Sequence, residues 1–167
     1  MYKKILVPLD GSKLAESALP YAEEIAKGCN ISEIMLVSVT ERVTGQTWAP
    51  ETQMAYRSSD RADLHGAGSE VTLTFGKEEK QARKYLGKIA KILVDKGIPA
   101  RTEVLIGSPA EKIVSFAGDN AADVIVMSSH GRSGPSRWAH GSVADKVLRA
   151  SCVPVLMVRA PGCMTGI

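Results

Sequence analysis

The chain has 167 residues, enough for one domain with an adequate core. Its 21 basic and 18 acidic residues leave a formal charge of +3, a surplus too small to argue for nucleic acid. No apolar stretch approaches the roughly 20 residues of a membrane span. The three cysteines, Cys29, Cys152 and Cys163, match neither a disulfide framework nor a CxxC motif. A strand pattern begins directly after Met1, where a signal peptide would need a different layout. The expectation is a reduced, cytoplasmic protein that engages neither nucleic acid nor membrane.

Lys4 to Leu9 (KILVPL) is a continuous apolar run, as expected of a strand buried on both faces. Asp10-Gly11-Ser12 breaks it. Leu14, Ala18, Tyr21, Ala22 and Ile25 then recur at helical spacing, with Ser12 as N-cap. Pro20 lies inside this pattern and should kink the helix. Gly28 and Asn30 close it. Ile34 to Val39 (IMLVSV) is the second strand. Residues 40–76 show no clean periodicity and form a long irregular insert. Lys77 to Lys96 returns to helix, with Ala82, Leu86, Ile89 and Leu93 as its apolar stripe and Gly97 as its end.

Arg101 to Ile106 is the third strand. Ser108, Pro109 and Glu111 then make a helix start of N-cap, first position and N3, with Ile113, Val114 and Ala117 facing inward. Ala122 to Met127 is the fourth strand, and Ser142 to Ala150 the last helix, with Ser142 as N-cap. Val153 to Val158 (VPVLMV) is the fifth strand. Residues 1–160 thus read as one domain and 161–167 as a loose tail. The alternation argues an α/β fold: an open five-stranded parallel sheet, Rossmann-like, with helices on both faces; the strand order 3-2-1-4-5 is assumed.

In that order the sheet reverses between strands 1 and 4, where ligands of doubly wound folds bind. The loops there are Asp10-Gly11-Ser12 and Ser128 to His140. Gly131, Gly134 and Gly141 permit close backbone approach. The N–H groups of Gly141, Ser142 and Val143 open a helix and attract an anion. Arg132 and Arg137 can add charge-assisted bonds. An ordinary loop before a Ser-capped helix is the competing reading. Asp10 can cap a helix, accept from a ribose or ring amine, or hold Mg²⁺ through water. His130 and His140 have no metal spacing and read as loop hydrogen-bonders. Met35, Met127 and Met157 read as core. There is no G-x-x-x-x-G-K-[ST], no GxGxxG and no G-x-S-x-G.

These segments together resemble the universal stress protein family: KKILVPLDGS, VSVTE, GSPAEKIVSFA, ADVIVMSSHGRSG and GSVADKVLRASCVPVLMV, in order. The resemblance implies a Rossmann-like sheet and a homodimer. One branch of the family binds ATP through G-x₂-G-x₉-G-[ST], which falls here on Ser128, Gly131, Gly141 and Ser142. Ser128 replaces the first glycine, and its Cβ narrows the permitted backbone angles. The adenosine positions of that branch fall on Pro8, Asp10 and Val39. Val143 completes the phosphate side, with Met127, His130, Arg132 and Gly134 as further contacts. The resemblance therefore implies a stress-response regulator that binds ATP or AMP, with or without Mg²⁺. Its dimer would form through the last strand, Val153 to Val158, and an unidentified protein partner would read its state. The alternatives are an interaction module that binds no nucleotide and a slow ATPase. For the last, the sequence offers no placed general base.

Overall fold

The computed structural model describes residues 2–40, 67–130 and 141–159, with the backbone alone over 67–75. Five strands form one sheet: β1 (Lys4–Pro8), β2 (Glu33–Thr40), β3 (Ala100–Ile106), β4 (Val124–Ser128) and β5 (Val155–Val158). Every pairing is parallel, as the alternation of strands and helices predicts, and the order is the assumed β3-β2-β1-β4-β5.

Strand alternation divides the core. Ile5, Val7, Ile34, Leu36, Val124 and Val126 face one side, and Leu6, Met35, Val37, Ile125 and Met127 face the other. The first side is covered by α1 (Lys13–Glu16), α2 (Leu19–Cys29) and α3 (Ala67–Asp95). The second is covered by α4 (Pro109–Asp119) and α5 (Ser142–Ala150). Both faces are dry, which is why the strands read as unbroken apolar runs. Each fully buried Leu, Ile or Val stabilises this arrangement by about 1.5–3 kcal/mol.

Several expectations need correction. The segment around Pro20 is two helices and not one kinked helix. Pro20 sits in the first turn of α2, where its missing N–H has no intrahelical acceptor to lose. Ser17, between them, donates from Oγ to the Leu14 carbonyl at 2.6 Å. Tyr21 faces solvent at 53% exposure instead of joining the core. The helix α3 begins at Ala67, inside the stretch read as irregular. Gly68, Thr72, Thr74 and Gly76 are weak helix formers and hid its periodicity. The rest of the insert, 41–66, and the tail, 161–167, lie outside the described residues.

The helix α4 starts where expected, but the Ser108 hydroxyl makes no capping bond. The last strand is shorter than VPVLMV. Ser151 Oγ accepts from Val153 N at 3.0 Å and donates to the Val153 carbonyl at 2.7 Å, drawing Val153 into a local turn. Pro154 follows, with only a carbonyl to offer, and Ile125 N donates to it at 2.8 Å. Leu156 is 39% exposed on this edge strand. No helix among the described residues is long and apolar enough to cross a membrane.

One carboxylate ties the amino end of β1 to the chain entering β4. Asp123 Oδ2 accepts from Lys3 N at 2.7 Å and Lys4 N at 2.8 Å, and Asp123 N donates to the Lys4 carbonyl at 2.9 Å. The bond from Lys3, then that from Lys4, holds the Asp123 carboxyl below its usual range. Asp123→Asn should lower stability at pH 7 by about 1 kcal/mol, a figure already discounted for solvent exposure. The folded pKa is depressed, so this stability is present above the unfolded value of about 3.9 and lost as pH falls through the folded one. Urea unfolding of both proteins at pH 7 and pH 3 checks it. The expected gap narrows at pH 3, and an equal gap at both would refute the charge argument.

Candidate functional site

The chain leaves β1 for α1 on one face of the sheet and leaves β4 towards α5 on the other. The connections of these two neighbouring strands part in this way, and among the described residues a cleft of about 850 Å³ opens at their carboxyl ends. Pro8, Asp10, Val39, Met127, Ser128, His130, Gly141, Ser142 and Val143 all line it. Every expected site position that the structure describes is therefore in one place. Gly131, Arg132 and Gly134 lie outside the described residues, as do Arg137 and His140.

On the β1 side, Asp10 Oδ1 accepts from Ser12 N at 2.9 Å, and Ser12 Oγ accepts from Ala15 N at 3.1 Å. Ser12 is thus the N-cap of α1, as expected, and Asp10 shapes the turn before it. Two interlocking side-chain bonds hold this loop where it borders the cleft.

On the β4 side, the helix start differs by one residue from the sequence reading. Gly141 and not Ser142 is the N-cap of α5, and Asp145 N donates to the Gly141 carbonyl at 2.9 Å. The reason is a non-local bond. Gly141 N donates to the Ser129 carbonyl at 2.7 Å, so this N–H is not among those offered to an anion. The first-turn N–H groups of Ser142, Val143 and Ala144 remain without intrahelical acceptors. The approach also explains the glycine. A Cβ at position 141 would lie 3.2 Å from the Ser129 carbonyl oxygen and 3.6 Å from His130 Cα.

Ser128 closes β4 in the strand pairing, opposite Val158. Its φ is not positive, so the backbone there does not require glycine. Its side chain, 6% exposed, follows the alternation of Val124 and Val126 towards α1. There Oγ accepts from His130 N at 3.4 Å and lies 3.5 Å from Ser17 Oγ. The hydroxyl is absorbed by the scaffold on the side away from Val143.

Sequence reasoning missed several lining residues. Ser129 is 2% exposed, and its Oγ lies 2.9 Å from His130 Nδ1. That pair was legible only as two adjacent polar letters after an apolar run. The α3 wall, Glu78, Gln81, Ala82 and Tyr85, left no local signal, because its position depends on packing across the sheet. Tyr85 Oη donates to Glu16 Oε1 at 3.0 Å and fixes that wall to α1. Ser38, in the middle of β2's apolar run, was the one visible clue on that side. A smaller hollow of about 370 Å³ adjoins the cleft through Pro109, Ser142 and Val143. There the amino ends of α4 and α5 and the side chain of Lys146 meet. Among the described residues, no group of three or more His, Cys, Asp or Glu is placed to hold a metal ion.

This architecture has known relatives. The universal stress protein MJ0531 of Methanocaldococcus jannaschii is 35% identical over 162 residues, covering 96% of this chain and 84% of that protein. The universal stress protein MJ0577 of the same organism is 31% identical over 165 residues, covering 95% of this chain and 96% of the relative. The solved MJ0577 structure superposes with a TM-score of 0.76, at 29% identity over 95% of this chain and 96% of that one. A universal stress protein family protein from Arabidopsis thaliana, solved with AMP bound, shares the fold. It superposes with a TM-score of 0.61 at 14% identity, over 96% of this chain and 93% of that one. Residues 1–159 match the model of the universal stress protein family, and the chain belongs to that family.

Proposed function

We propose that this chain is an adenine-nucleotide-binding regulatory protein of the stress response, taking ATP or AMP in the cleft at the β1/β4 junction. The observation that carries the reading is the fixed amino end of α5. A Cβ at Gly141 would crowd the Ser129 carbonyl at 3.2 Å, and Ser142, Val143 and Ala144 line the same opening as Asp10 and Val39. A helix amino end favours an anion by about 0.3–1 kcal/mol at the surface and up to about 2 when partly buried. The described residues lining the main cleft include no lysine or arginine. Among the described residues, main-chain donors therefore carry the phosphate recognition there, with Lys146 and the α4 start within the adjoining hollow for a longer phosphate chain. The AMP held by the Arabidopsis relative of the same fold supports the choice of ligand class.

The remaining expectations belong to the same proposal. Pro8, Asp10 and Val39 border the nucleoside, and Ser128, Gly131, Gly141, Ser142 and Val143 the phosphates. Met127, His130, Arg132 and Gly134 add outer contacts. Mg²⁺ would arrive with the polyphosphate, with Asp10 as the nearby carboxylate. The chain acts in the cytoplasm as one domain over residues 1–160. It forms a homodimer by pairing the exposed edge strand β5, where Leu156 would be covered. A nucleotide-dependent protein partner reads the bound state. The interaction-module reading is favoured by that same apolar edge and needs no ligand.

Calorimetry with ATP and AMP, and acid extraction of natively purified protein, separate the two. Binding below millimolar concentration or a co-purified adenine nucleotide is expected, and the absence of both would sink the proposal. Phosphate release that survives rigorous purification would instead favour the slow-ATPase alternative. Gly141→Ala should cost about 1–3 kcal/mol of stability through overpacking against the Ser129 carbonyl and weaken ATP binding by at least about tenfold. Thermal unfolding and calorimetry of the variant check both. A variant as stable and as tight as wild type would refute the assigned role of the close approach.

A further inference from the structure

The helix α3 carries a line of lysines that the packing of the fold does not use. Ala82, Leu86, Ile89 and Leu93 turn one face of the helix towards the sheet. On the opposite face Lys80, Lys84, Lys88 and Lys91 follow one another at spacings of three or four residues, all of them exposed. At the helical rise they form a ridge about 16 Å long. The stretch from Lys77 to Lys96 holds seven basic and three acidic residues, a surplus larger than that of the whole chain. Among the described residues, none of the ridge lysines has an ion pair or a side-chain hydrogen bond. Elsewhere on the surface the signs are interleaved. Arg83 meets Glu79 at 2.8 Å, Arg149 meets Asp145 at 2.9 Å, and Lys96 meets Glu23 at 2.7 Å.

Like charges at i and i+4 destabilise a helix by about as much as opposite charges stabilise it. Lys80, Lys84 and Lys88 have no carboxylate three or four positions away on either side. The bare ridge is a cost that glutamates set among the lysines would remove, so a merely solvated face does not explain it. We propose that the ridge docks an acidic segment of a partner protein, a helix or strand whose carboxylates repeat at the same pitch. Lysine suits such a contact, since its ammonium is a point charge on a flexible stem and needs no fixed bidentate geometry. A second copy of the chain does not fit, because a two-fold axis would set lysine against lysine. Asp95, four residues after Lys91, ends the ridge and would repel a polyanion running on past it. No exposed residue described on α3 is aromatic, so nothing there would stack a nucleic-acid base. Ile92 and Val94, both more than half exposed, offer a small apolar contact at the same end. They are far from the broad apolar face of a helix that lies in a membrane. The ridge is on the outer face of α3 and needs no nucleotide in the cleft.

The test is fluorescence anisotropy at low ionic strength with a labelled helical peptide that carries glutamate at every fourth position. It compares wild type, Lys84→Glu and Lys112→Glu. Lys112 is exposed on α4, so its variant makes the same change in net charge on the other layer. Wild type is expected to bind the peptide and Lys84→Glu to bind it at least about fivefold more weakly, with Lys112→Glu within about twofold of wild type. The new carboxylate would stand four residues from both Lys80 and Lys88, so Lys84→Glu should also raise the Tm of the free protein by roughly 1 to 4 °C. A raised Tm with weakened binding marks a residue kept for a partner. A lowered Tm would refute the cost on which the inference rests. Equal weakening in both variants would show attraction to net charge alone and overturn the inference, as would a wild type that binds no peptide. Tighter binding to phosphatidylserine vesicles or to duplex DNA, lost in Lys84→Glu, would assign the ridge to a lipid or nucleic-acid surface and overturn the choice of partner.

Discussion

The hydrogen bond from Gly141 N to the Ser129 carbonyl, 2.7 Å long, sets the position of everything on one side of the cleft. It joins the end of β4 directly to the start of α5, across the eleven residues that separate Ser129 from Gly141 in sequence. With its N–H taken, Gly141 becomes the N-cap, and the next three N–H groups emerge at the strand ends. The bond favours a residue without a side chain, because a Cβ would lie 3.2 Å from the carbonyl oxygen that accepts it. A glycine in such a place is fixed by its neighbours and not by its own torsions, for its φ of −54° is open to any residue.

The sheet supplies the other half of the arrangement. Because β1 lies between β2 and β4, its connection and that of β4 leave on opposite faces, and the crevice follows from topology alone. The cleft therefore spans both layers. Pro8, Val37, Val39 and Met127 belong to the α4–α5 side, while Leu9, Ser38 and Ser128 belong to the side of α1 to α3. At the far end of β1, Asp123 ties that strand to the chain entering β4, and at the cleft end Tyr85 bonds Glu16 within the α1–α3 layer. A ligand in the cleft touches both layers, which is the condition for its occupancy to bias their relative arrangement. The size of any such bias is limited by its difference in affinity for the two states.

The strands were legible in the sequence because burial on both faces writes an unbroken apolar run, while their order was an assumption that the fold bears out. The loop positions were legible too, through spacing that resembled a known pattern. What local sequence did not carry were features decided by distant atoms. The N-cap of α5 moved from Ser142 to Gly141 because Ser129 takes an N–H. The end of β5 retreated because Ser151 captures Val153. The helix pattern over Leu14 to Ile25 was read as continuous, since spacing alone does not distinguish a kink from a restart at Pro20. Tyr85 and Gln81 reached the cleft through the packing of α3, whose crossing over the sheet no short motif records.

Ser128 shows how a departure from a motif should be weighed. In sequence it is a glycine lost, with a side chain set against a phosphate. In the fold it is the last paired residue of a strand, its torsions ordinary and its Cβ pointing to the opposite layer. Burying the hydroxyl is offset by His130 N and the neighbouring Ser17 Oγ, so it asks nothing of a ligand. Ser129 is likewise accounted for, its N–H bonded to the Val158 carbonyl and its hydroxyl beside His130. These bonds make the polar end of β4 part of the scaffold that positions the start of α5. Among the described residues, the chemistry left open to a ligand includes the first-turn N–H groups of α5, the turn shaped by Asp10, and the Ser38 hydroxyl. An anion at one end and a hydrogen-bonding heterocycle at the other is the kind of molecule that would use all three.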